Sequence, residues 1–183
     1  MASGISDSIE PVDNIFTLTK ARIPWLLIGM IGGLLGAQII GLFHIEDNPV
    51  LAFFIPLIAA MGGNVGVQSS AIIVQALATK SLGLDNWSKR FIKEFGVALI
   101  NGLICCIILF FVCALLYPEP RIPITVSISL LTVMVFAALF GTFVPLMLNK
   151  YKIDPALATG PFITTMNDVI GLFIYFSIAE WIL

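Results

Sequence analysis

Five long apolar stretches limit what this chain can become, because about 20 consecutive apolar residues suffice for a helix to cross the hydrocarbon of a bilayer. Ile23 to Phe43, Asn48 to Thr79, Phe95 to Pro118 and Ile122 to Asn149 contain no Asp, Glu, Lys or Arg. Pro155 to Ala179 contains one charge, Asp168. In hydrocarbon a backbone finds no water for its N–H and C=O groups, so each stretch must satisfy them internally as a helix. The fold class expected is an all-α integral membrane protein with five transmembrane helices per chain, over about 23–43, 50–79, 92–117, 122–149 and 156–182. Residues 21–183 then form one five-helix domain behind a short cytoplasmic lead-in, residues 1–20.

Composition agrees, with 59% apolar and 11% charged residues against about 45–50% and 25% in soluble domains. A formal charge of −2 and the lack of a basic block exclude the electrostatic footprint of a nucleic-acid binder. Cys105, Cys106 and Cys113 share one apolar run without Cys-x-x-Cys spacing, so they suggest neither a disulfide framework nor structural zinc and read as small packing residues.

The second stretch has 32 residues, about 48 Å as a straight helix against ~30 Å of hydrocarbon. It must tilt, bend or break, and Gly62-Gly63-Asn64-Val65-Gly66 is the expected place. Pro56, Pro145 and Pro161 are further candidate kinks. Lys20, Arg22, Lys80, Lys89, Arg90, Lys93, Lys150 and Lys152 flank the spans on one side, and Arg121 alone falls on the other. Basic residues favour the cytoplasm, so the N-terminus is expected inside and the C-terminus outside. His44 then sits at an external span end as an interface residue. The lead-in, with Asp7, Glu10 and Asp13, lacks the basic start and cleavage site of a signal peptide.

An ionised carboxylate at mid-membrane costs about 2.5–3.5 kcal/mol on insertion scales, so it faces a wet path or a partner. Asp168 is therefore the leading functional candidate. Pro161, Thr164, Thr165, Asp168, Gly171, Leu172 and Tyr175 recur at helical spacing and form one face with hydroxyl, carboxylate and small side chains. Phe162, Ile163, Met166, Val169, Ile170 and Phe173 make the other, suited to packing or lipid. A protonated Asp bonded to a neighbouring helix is the structural alternative. On the second span Asn64, Gln68 and Gln75 share a stripe, fit equally for water or for interhelical hydrogen bonds beside close-packing glycines. Gln38, Asn101, Ser127 and Thr132 are lone polar positions read as packing.

Carboxylate, amide, hydroxyl and carbonyl oxygens are hard donors suited to Mg²⁺, Ca²⁺ or Mn²⁺. One Asp per chain is too little for a closed divalent site, and a two-fold axis would supply a second.

The segment Pro56-Leu57-Ile58-Ala59-Ala60-Met61-Gly62-Gly63-Asn64-Val65-Gly66-Val67-Gln68-Ser69-Ser70, followed by Ala76-Leu77-Ala78-Thr79, resembles the second transmembrane segment of the MgtE family of magnesium channels. Asp154-Pro155-Ala156-Leu157 and the run Asn167-Asp168-Val169-Ile170-Gly171-Leu172-Phe173-Ile174-Tyr175-Phe176 resemble the start and middle of its fifth. The likeness covers nearly the whole chain. It implies a homodimer among plasma-membrane lipids, conducting Mg²⁺ through a pore at the dimer interface between second and fifth helices. It also implies that Asp168 recognises hydrated Mg²⁺, with Thr164 contributing a carbonyl, and that Gly63, Asn64, Gly66 and Gln68 lie near the pore. Thr165 and Gly171, on the Asp168 face, are further lining candidates. The cytoplasmic N-terminal and paired CBS domains typical of the family have no counterpart in these residues, as expected for an excised transmembrane domain or a naturally short member.

Three rivals remain at this level. An intramembrane aspartyl protease would need paired aspartates, but the Gly-x-Gly-Asp context is missing around Asp168, so no enzyme is expected. A proton- or sodium-coupled antiporter would alternate Asp168 between proton and metal. A non-conducting assembly subunit would carry no flux.

Overall fold

Asn14 caps the first helix by accepting from Thr17 N at 2.9 Å and from the Thr17 hydroxyl at 3.1 Å, as a short polar side chain does at a helix start. Helix α1 (Ile15–Leu42) thus begins inside the expected lead-in and carries Lys20 and Arg22 within it. The computed structural model describes residues 14–43, 48–79, 87–158 and 160–183. Residues 1–13, His44 and Lys80 lie outside the described residues.

The described residues are helical throughout apart from short turns and caps. Four more helices follow: α2 (Ile55–Ala78), α3 (Trp87–Leu116), α4 (Arg121–Lys150) and α5 (Pro161–Ile182). All five spans are long and apolar enough to cross a membrane, the second including the 3-10 turn ahead of α2. Lys89, Arg90 and Lys93 belong to the first turns of α3, which starts before the expected residue 92.

The excess length of the second stretch is taken up ahead of the glycines. Pro49–Phe54 forms a 3-10 turn, Pro56 sits in the first turn of α2, and α2 then runs unbroken through Gly62–Gly66. Proline is tolerated there because the first N–H groups of a helix have no intrahelical partner. Pro161 likewise starts α5 rather than kinking a helix, whereas Pro145 lies inside α4 and Pro24 inside α1. The Tyr175 hydroxyl, fully buried, donates to Leu51 O at 2.9 Å and ties the 3-10 turn to α5. Tyr175→Phe should therefore lower stability by about 1 kcal/mol, read as a drop in thermal midpoint in detergent with helical content unchanged.

The α2 glycines serve close packing instead of a break. A methyl on Gly62 would lie 3.0 Å from Val133 Cγ1 of α4, and one on Gly63 would lie 3.2 Å from Thr164 Cγ2 of α5. Small residues let membrane helices approach where apolar burial gives no drive. Helix α4 is the centre of the bundle: α2, α3 and α5 all pack on it, and Val126, Val133, Met134 and Ala137 are buried. Helix α3 has the higher mean hydropathy, 2.9 against 2.3 for α4, yet only 11% of its apolar window is buried against 61%. Hydropathy is thus higher in the helix left at the surface of the chain, while burial follows the small residues. Of the cysteines, Cys113 is buried and Cys105 and Cys106 are half-buried, all as free thiols.

Two devices close the last connection. Lys152 adopts φ 58°, and Lys152 N donates to Asn149 O at 3.1 Å while Ile153 N donates to Leu148 O at 2.9 Å, the paired bonds that end α4. Gly160 precedes α5 with φ 64° and ψ −128°, a conformation that costs glycine little.

Candidate cation site

Helix α5 starts at Pro161, and its first turn sets the site. Thr164 N and the Thr164 hydroxyl both donate to Gly160 O at 3.1 Å, which holds that hydroxyl back along the helix. Asp168 follows one turn later, on the same face. Across from it, α2 presents Gly63 without a side chain, and a methyl there would stand 3.7 Å from Asp168 Oδ1. That close approach makes one wall of a groove of about 320 Å³ lined by Asn64 and Gln68 of α2 and by Thr164 and Asp168 of α5. Asn64 and Gln68 lie on the open side of α2, and Gln75 continues their stripe along the helix.

A second groove, about 310 Å³, runs between α1 and α5 past Gly32, Gly33, Gly36, Thr165 and Asp168. A methyl on Gly32 would overlap Thr165 Cγ2, so this glycine permits the α1–α5 contact. Asp168 borders both grooves.

The structure therefore brings Asp168, Thr164, Gly63, Asn64 and Gln68 to one groove and Thr165 to the other. Gly66 and Gly171 do not line either groove. Gly66 is buried where a Cβ would overlap Asn167 Nδ2, and Gly171 is buried with Val133 Cγ1 3.2 Å from where its Cβ would be. Leu172 and Tyr175 also turn from the polar face expected of them: Leu172, though it reaches the second groove, and Tyr175 belong to the core. Ile163, on the face suited to packing or lipid, is fully buried and so packs. The physical reason is that α5 is enclosed by three helices, α1, α2 and α4, so a single polar face cannot run its whole length.

Asp168 accepts no hydrogen bond from the described residues. Among the described residues no group of three His, Cys, Asp or Glu side chains comes together. The groove thus offers one unpaired carboxylate among amide and hydroxyl oxygens, a set that holds a hard cation through its water shell more readily than it strips the ion bare. Of the buried polar residues not singled out in the sequence, two stand out. Asn167, 1% exposed with no partner for either amide atom among the described residues, wedges against Gly66. Glu94, which in the sequence only bounds a span, is buried in α3.

Comparison with known proteins meets the same elements. The MgtE family, described as divalent cation transporters, matches residues 55–178, from the start of α2 to near the end of α5. The chain is 37% identical over its full length to "Magnesium transporter MgtE" of Thermus thermophilus, covering 41% of that protein. It is 33% identical over 86% of its length to the protein of that name from Bacillus subtilis, covering 36% of the relative. A third, from Enterococcus faecalis, is 30% identical over 95% of the chain and 39% of the relative. The chain thus spans about two fifths of the length of the curated relatives it matches. A transporter family is no setting for the protease reading, and five membrane-spanning helices fit a multi-pass membrane protein. Both motif segments and the groove between α2 and α5 fall inside the matched region, and this chain belongs to the MgtE family of divalent cation transporters.

Proposed function

We propose that the chain forms the pore of a Mg²⁺ channel in the plasma membrane, as a homodimer in which Asp168 of each copy recognises hydrated Mg²⁺. The observation that carries this reading is an unpaired carboxylate inside a spanning helix, open to a groove with Asn64, Gln68 and Thr164. The relatives' name, magnesium transporter, supports Mg²⁺ as the ion. The groove opens on the surface of one chain, and a two-fold axis beside α2 and α5 would close it and bring a second carboxylate to the same ion.

The chemistry follows from Mg²⁺ being reluctant to lose water. Inner-shell waters donate to the Asp168 carboxylates and to oxygens of the Thr164 turn, so charge is recognised without full dehydration. A monovalent cation brings half the charge and is held less well. With the N-terminus cytoplasmic, a reading supported by the distribution of basic residues, entry is at the end of α2 that carries Pro49–Phe54. A divalent ion moving inward gains about 4.6 kcal/mol per 100 mV, twice the ~2.3 kcal/mol for one charge. No coupled ion is needed for uptake.

The test is Mg²⁺ uptake into liposomes with the potential and the ion gradients set independently. Uptake should rise with negative-inside potential and persist without any proton or sodium gradient. Uptake that vanishes without such a gradient would overturn the channel in favour of an antiporter.

A further inference from the structure

Behind the groove lies a buried polar contact that the transport reading does not use. The Ser69 hydroxyl of α2 donates to Glu94 Oε1 of α3 at 2.6 Å, and Arg90 Nη2, one turn earlier on α3, reaches Glu94 Oε2 at 3.5 Å. Ser69 is 3% exposed and Glu94 7%. Exposed ion pairs are worth little, but a carboxylate buried between spanning helices is costly unless its oxygens are engaged, which gives this geometry a reason to persist.

The placement of Ser69 gives the contact a consequence. On α2 the buried stripe runs Gly62, Gly66, Ser69, Ser70 and Ile73, and the open stripe runs Asn64, Gln68 and Gln75. Ser69 follows Gln68 directly, about 100° around the helix. Helices α2 and α3 both pack along α4 and share few close approaches with one another. The buried face of α2 holds fully buried Ile58 and Ile73 on either side of Gly62, Gly63 and Gly66, and the glycine stretch between them offers no side chain to resist rotation. The directional hydrogen bond from Ser69 to α3, just after that stretch, adds such resistance beside the groove residues.

We infer that Ser69 and Glu94, steadied by Arg90, form a polar clamp that sets the rotation of α2 and so aims Asn64 and Gln68 into the Asp168 groove. Glu94 and Ser69 are positioning residues and touch no ion. The inference rests on the groove being the transport site.

The experiment compares Ser69→Ala, Glu94→Leu, Glu94→Gln and the double variant Ser69→Ala/Glu94→Leu in liposomes, at equal amounts of folded protein. Ser69→Ala and Glu94→Leu should each raise the half-saturating Mg²⁺ concentration about three- to tenfold, and the double variant should be no worse than Glu94→Leu alone. Glu94→Gln keeps an acceptor for Ser69 but loses the charge facing Arg90, so it should raise the half-saturating concentration clearly less than Glu94→Leu does. A purely structural role would lower the yield of folded protein and leave the half-saturating concentration alone. As an independent reading, Gln68→Cys is introduced in a chain whose three native cysteines are replaced by alanine, and its modification rate by a charged thiol reagent is measured with and without Glu94→Leu. The rate should change about threefold or more when the clamp is lost. Unchanged half-saturation with an unchanged modification rate in Glu94→Leu would overturn the clamp, as would equal damage by Glu94→Gln. The modification rate needs no Mg²⁺, so it judges the clamp even where Asp168→Asn transports normally and the groove reading fails.

Discussion

Replacing Gly141 by alanine should destabilise the protein by about 1–3 kcal/mol or more, the range for forcing extra atoms into a tight core. An added Cβ on Gly141 of α4 would overlap Gly66 O of α2 and lie 3.0 Å and 3.1 Å from Gly66 C and Cα. These are backbone atoms, so no rotamer change can relieve the clash, and α2 and α4 must separate. Gly96 is the control, since nothing lies within 4 Å of a Cβ built there. Gly96→Ala should be neutral or stabilising, by up to about 1 kcal/mol from helix propensity. Thermal unfolding of the detergent-solubilised variants separates the two cases. Equal midpoints would mean that α2 and α4 are not held at this contact.

The same contact shows what the sequence could and could not reveal. Charge-free stretches identify five spans because hydrocarbon imposes both length and helicity, and Asp168 stands out because charge in that medium is costly. Which glycines serve which purpose is not written in their spacing. Gly63 opens the groove wall, Gly66 and Gly141 bring backbones together, and Gly171 packs on Val133. All four are small residues in apolar helices, and only their neighbours tell them apart. The break expected at Gly62–Gly66 moves to Pro49–Phe54 because glycines packed between helices keep their helical hydrogen bonds, whereas a proline-led turn absorbs the excess length at the span end. Asn167 and Glu94 are illegible in the sequence for a related reason: a buried polar residue becomes notable only when its partners, or their absence, are known.

The second large effect concerns Asp168 itself. Asparagine preserves the shape of the side chain but removes one charge per copy, hence two from the proposed dimer. Loss of one partner from a close charge pair costs about 2–5 kcal/mol, so Mg²⁺ uptake by Asp168→Asn should fall about 100-fold or more. Thermal stability should hold or rise, because Asp168 accepts no hydrogen bond from the described residues and an amide is cheaper to keep in the span. That combination, lost transport with intact folding, separates an ion-recognition role from a structural one.

The most direct test of Asp168 as the recognition residue is Mg²⁺ uptake into liposomes at a fixed negative-inside potential, with wild type and Asp168→Asn reconstituted side by side in equal amounts. Uptake should be steady in the wild type and about 100-fold or more lower in the variant, close to that of empty liposomes. Uptake at the wild-type rate in Asp168→Asn would contradict that role and move the ion path away from the α2–α5 groove.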